Sequence, residues 1–196
     1  MLLLAACSPA PEPPAPAPPR ELTEAQREQL AAEEARVGRV REAAMARFVP
    51  SADGTVAEPG AGLVWMRCSV GQEWDGAGCQ GKPGQYNWDQ ALELAEKRGE
   101  GWRLPTQPEL YALTFCSSGI RSQRNSEGLG GGCAGNYERP TILQTVFPDT
   151  PAGNFWTSTP HERFSFSAWG VSFHTGHTGT GGRRDYVHVR LVREAR

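Results

Sequence analysis

Every tryptophan in this chain lies at or beyond Trp65, whereas seven of its sixteen prolines fall between positions 9 and 19. This segregation decides where a core can form. Large aromatic side chains supply much of the apolar area that a domain buries. Proline fixes φ and removes an amide donor, so a dense run of it builds neither helix nor sheet. The N-terminal quarter therefore has no core of its own. The remaining stretch, about 140 residues, is long enough for one.

Four of the five cysteines, Cys68, Cys79, Cys116 and Cys133, lie in that stretch, and Cys7 stands apart. Four cysteines allow three pairings. Cys68–Cys79 with Cys116–Cys133 is the expected one, because each closes a local, turn-rich loop. A zinc or redox site is disfavoured, since none of the four has C-x-x-C spacing. An exported chain also meets an oxidising compartment.

The case for export rests on the first residues. Leu4-Ala5-Ala6-Cys7 reads as a lipobox, with small residues before a cut and a cysteine to be acylated after it. Acylation also explains the unpaired cysteine. Residues 1–6 are shorter than the apolar stretch of about 7–15 residues that a signal peptide needs, so they read as a truncated signal. Ser8 after the anchor favours an outer membrane. Residues 7–20 are then lipid anchor plus tether: SPAPEPPAPAPPR reads as a polyproline-like spacer of roughly 40 Å.

Residues 21–48 change to helix formers, with Thr23 as a cap. Leu30, Val37 and Ala44 make a stripe too narrow for a coiled coil, and Gly38 weakens it further. A solvated or docked helix is expected, followed by a linker over Ser51–Gly62.

The globular domain is expected over 60–194. Leu63–Cys68 reads as a strand. Asn87 and Gln90 form a capping box, and Trp88, Ala91, Leu92 and Ala95 follow at helical spacing. A second box spans Thr106–Glu109, ahead of Leu110, Leu113 and Thr114. Residues 117–139 are a long polar loop. Strands are expected at Asn154–Thr159, at Phe166–Phe173 and at Tyr186–Val192, where Val187, Val189 and Leu191 share a face. His174–Arg184 reads as a second glycine-rich loop. The order gives an α+β class, with two helices packed on a small antiparallel sheet.

Several runs together resemble the Lcl C-terminal domain family. They are Gly62-Leu63-Val64-Trp65-Met66-Arg67-Cys68, Trp102-Arg103-Leu104-Pro105-Thr106 with Glu109-Leu110, Phe147-Pro148, Phe155-Trp156-Thr157-Ser158-Thr159 and Val189-Arg190-Leu191-Val192-Arg193. The resemblance covers about residues 60–193 and implies a C-type-lectin-like architecture on a bacterial envelope protein, some such proteins being adhesive. It does not imply one activity. The chain has no Gly-X-Y repeat, so the polyanion binding of the collagen-like member is not carried over.

The functional expectation is a binding or adhesion module tethered to the cell envelope, its partner a glycan or an envelope protein. Its candidate surface is the two long loops, carrying Arg121, Arg124, Asn136, Tyr137, Arg139, His174, His177, Arg183, Arg184 and Asp185. Arginine and tyrosine serve recognition well. The alternatives are a structural subunit of a secretion or pilus assembly and an enzyme. His174-x-x-His177 with Asp185 is a second metal-ligand pattern, and a glycine-rich loop does not hold such spacing. No catalytic residue, metal or cofactor is assigned. The net charge of -2 argues against nucleic acid as a partner.

Overall fold

The computed structural model describes residues 21–195, so the signal segment, Cys7 and the proline run fall outside the described residues. In chain order the elements are α1 (Glu24–Met45), β1 (Val49–Pro50), β2 (Thr55–Glu58), β3 (Leu63–Met66), β4 (Glu73–Trp74), β5 (Cys79–Gln80), α2 (Trp88–Arg98), α3 (Gln107–Ala112), β6 (Asn154–Pro160), β7 (Ser167–Ser172), β8 (Thr178–Gly182) and β9 (Val192–Glu194). They form three antiparallel sheets, ordered β1-β2-β3-β9, β4-β5 and β6-β7-β8. This is the mixed α and β class expected. Both expected disulfides, Cys68–Cys79 and Cys116–Cys133, are present.

Two apolar clusters make the core. One gathers Val56, Trp65, Leu110, Phe147, Phe155 and Phe173. The other gathers Trp88, Ala91, Trp102, Leu104, Trp156 and Val189. Each fully buried large side chain contributes on the order of 2 kcal/mol. The α2 face is the expected one: Asn87 caps the helix, and Trp88, Ala91 and Ala95 are buried. The indole N–H of Trp88 donates to Thr157 O, tying α2 to β6.

α1 is capped by Thr23, whose hydroxyl accepts from Gln26 N while the Gln26 side chain accepts from Thr23 N. It buries no residue, yet its C-terminal half docks. Val40 and Ala44 lie against the first cluster. Arg36 donates to Ser118 O at 2.7 Å, and Arg41 pairs with Glu138.

Three expectations are corrected. Ser51–Gly62 is not a linker. It holds β2, which pairs with β3 from Thr55↔Met66 to Glu58↔Leu63. Val56 is fully buried there, and buried Glu58 accepts from the Trp65 indole at 3.0 Å. A lone valine between Thr55 and Ala57 hid this strand. His174–Arg184 is not all loop, because Thr178–Gly182 is β8. Its Gly181 leaves room for a neighbour: a Cβ there meets the Trp156 ring at 3.2 Å.

Tyr186–Leu191, finally, is not a laddered strand. It threads between the clusters and changes partner at each step. Val187 pairs with Tyr86, His188 N donates to Asn154 O, Val189 O accepts from Val70 N, and Leu191 O accepts from Met66 N. With apolar surface on both sides, Arg190 is fully buried instead of facing water.

The Trp102–Leu110 run, the most distinctive in the sequence, proves to be a local clamp. Arg103 grips Glu109 with two bonds of 2.8 Å, and the same carboxylate accepts from Thr106 N at 2.6 Å. Leu104 fills the second cluster, and Pro105 O accepts from Ser158 N. The Arg103 bond and the Thr106 amide hold the Glu109 carboxyl at about 2, below its ordinary 4.5. A depressed carboxyl pKa stabilises the fold above the unfolded value and loses that contribution as pH falls from about 4.5 to 2. Discounted for the solvent that reaches the pair, the loss is about 1–2 kcal/mol. Urea midpoints at pH 6 and pH 3 are expected to differ less in Glu109→Gln than in the parent.

Candidate functional site

The loops expected to carry the site meet at one end of the domain. Residues 117–139 form an irregular hairpin closed by Cys116–Cys133, with bridges at Arg121↔Cys133 and Arg124↔Gly130. Gly130 then exchanges two backbone bonds with Thr178, and Cys133 N donates to Thr175 O. This end holds seven of the expected residues. The Arg121 and Arg124 guanidiniums lie over the Tyr111 ring, at 5.2 and 4.6 Å from its centre. Arg139 lies over Tyr137 and donates to His174 O at 3.0 Å. Asn136 and His177 are exposed.

The other three do not join them. Arg183, Arg184 and Asp185 follow the far end of β8, roughly 15 Å along the strand from His177. Arg183 stacks on Trp88 at 4.1 Å, and Asp185 accepts from Gly182 N at 2.9 Å. The ten residues are therefore not one surface. Among the described residues no three His, Cys, Asp or Glu side chains gather as a metal site.

One concavity does connect the two ends. It is an open trough of about 460 Å³ on one face of the β6-β7-β8 sheet. The register puts Asn154 beside Ser172 and Trp156 beside Gly170, with Gly170 beside Gly179. His177 and Thr175 stand at one end, and Asp185 with Tyr186 at the other. The volume suits a small-molecule or oligomer subsite.

The glycines of the floor differ in cause. A Cβ on Gly170 meets Phe155 O at 2.9 Å, so packing requires that glycine. A Cβ on Gly179 meets nothing within 4 Å. Its glycine is not demanded by the protein's own packing, and glycine weakens a strand. Such a position often marks the close approach of a ligand.

The walls are polar and uncommitted. The side chains of Asn154, Ser172 and Tyr186 make no hydrogen bond among the described residues, and Tyr186 is 62% exposed. Asp185 is the trough's carboxylate, and neither Lys nor Arg lines it.

Residue-level reading found His177 and Asp185 here but missed Asn154, Trp156, Gly170, Ser172, Gly179 and Tyr186. The usable signal was the alternation Thr178-Gly179-Thr180-Gly181, a strand period with one face stripped of side chains.

A second recess, about 580 Å³, opens between β3, β4 and α2. It holds none of the ten candidate binding residues, and its rim mixes Arg98 and Arg193 with Asp53, Glu73 and Glu100. Nothing in it parallels the unexplained glycine of the trough.

Compared with known families, residues 54–193 match the Lcl C-terminal domain. No curated protein and no solved structure matches the chain.

Proposed function

The chain belongs to the Lcl C-terminal domain family, and from that membership together with the trough we propose an extracytoplasmic binding or adhesion module whose ligand seat is the β6-β7-β8 face. Lipid on Cys7 holds it at a bacterial membrane, facing the periplasm or the surface, and the proline run spaces it from the bilayer. The two helices against small antiparallel sheets, the long loops and the two local disulfides support a C-type-lectin-like architecture.

The observation that carries the reading is Gly179: a strand glycine with open space above it, in a trough whose polar groups have no internal partners. Gly179→Val fills that space and suits a strand better than glycine does. The full chain, immobilised and exposed to bacterial envelope fractions, is expected to retain about tenfold more material than the valine variant. Cys7→Ser is expected to leave the membrane fraction in the native host yet keep binding. Equal retention by parent and Gly179→Val overturns the seat.

One observation favours a second reading, a structural subunit of an envelope assembly. Phe164 and Phe166, in the β6–β7 turn, are 51% and 69% exposed with ring centres 5.7 Å apart. The other five phenylalanines are at least nine-tenths buried. A paired apolar surface of this kind suits protein contact. A partner crosslinked through position 164 would favour this reading over ligand capture.

A further inference from the structure

Resting on the reading of the trough as the ligand seat, we infer that it takes a neutral, hydroxyl-rich saccharide and discriminates against anionic ones. The juxtaposition is of three kinds of group. The Asn154 amide and the Ser172 hydroxyl are free, and each can donate and accept. That double capacity matches sugar hydroxyls, which also do both. Tyr186 stands exposed at the rim with an apolar ring and a polar tip, the combination that packs on the C–H face of a pyranose while bonding its edge. The floor of Gly170 and Gly179 is backbone, so a flat ring can lie close to it.

Charge sets the selectivity. Neither Lys nor Arg lines the trough, and Asp185 does. The carboxylate accepts hydroxyl hydrogens but repels sulfate or carboxylate substituents. Arg121 and Arg124, which have no carboxylate partner among the described residues, stack on Tyr111, and neither lines the trough. An anionic glycan drawn to the protein by those arginines therefore occupies a different place from a neutral one.

The full chain is titrated with neutral di- and trisaccharides of hexoses and N-acetylhexosamines, and with their sulfated counterparts. Amide resonances of Gly170, Gly179 and Gly181 report the trough. At least one neutral saccharide is expected to move them, with sulfation weakening that binding about fivefold and Gly179→Val about tenfold. Tyr186→Ala, at an exposed position, is expected to weaken it comparably without loss of fold. The inference is overturned if no neutral saccharide moves these amides, if only sulfated ones do, or if the shifts ignore both substitutions. Should envelope material still be retained in a Gly179-dependent way, the binding-module reading survives and the ligand class alone falls.

Discussion

Arg190→Ala is expected to lower the stability of the domain by about 4 kcal/mol. Arg190 has no carboxylate partner. Its guanidinium donates to Met66 O at 2.7 Å, to Arg67 O, to Thr150 Oγ1 at 2.6 Å and, at a long 3.4 Å, to Ser69 Oγ. Thr150 passes the bond on, donating to Phe147 O at 2.7 Å. The charge lies over the Phe147 ring at 4.8 Å. Burial pushes its pKa down to about 9, so it remains a cation at neutral pH.

Burying a cation costs several kcal/mol, and replacing it by alanine recovers that cost. Against this stand two losses. The carbonyls of Met66 and Arg67 lose a charged donor, each left unsatisfied at about 1–3 kcal/mol, and the Thr150 hydroxyl loses one of its two bonds. A cavity also opens beside Phe147 and Phe155. The losses win, because several acceptors depend on one side chain. Arg190→Met restores most of the volume but none of the donors, and is expected to recover only the cavity part. Denaturant midpoints for the three proteins test the order parent, methionine, alanine. An unchanged midpoint in alanine would remove Arg190 from the framework of the fold.

The second large effect is on the disulfides. Cys68–Cys79 closes a loop with a separation of 11 residues and Cys116–Cys133 one of 17. Each is expected to contribute about 3 kcal/mol by constraining the unfolded chain. The pairs share no loop, so their losses add. Removing both, about 6 kcal/mol, exceeds the lower end of the 5–15 kcal/mol typical of a domain. Serine at all four positions is therefore expected to unfold the domain near 37 °C, while serine at either pair alone leaves it folded with a lower midpoint. Cys116 and Cys133 also frame the hairpin on which Arg36 and Arg41 of α1 dock. Their loss is expected to free α1, seen as faster amide exchange at Val40 and Ala44. Equal midpoints with and without reductant would contradict both expectations.

Much of this fold was legible from residue patterns, for physical reasons that can be named. α2 was readable because its cap, its apolar spacing and its ending at Gly99 agree. The disulfides were readable because local closure is the economical pairing. β2 was not, since one buried valine carries no period. Arg190 was not, because strand alternation predicts one wet face, and the 186–192 segment has none. The trough was not, because its floor is an absence of side chains. Glycines read as a loop until a second strand supplies the register that turns them into a surface.

β3 lies between β2 and β9, its Trp65 facing Val56 on one side and Val192 on the other. The first sheet of the domain is thus completed by nearly its last residues, and the segment leading there, 186–191, separates the two clusters. A chain emerging from the ribosome amino end first has neither cluster sealed until that segment arrives. Such non-local closure slows folding. It also keeps the nascent polypeptide open, so the final collapse waits until residues 186–194 have been made.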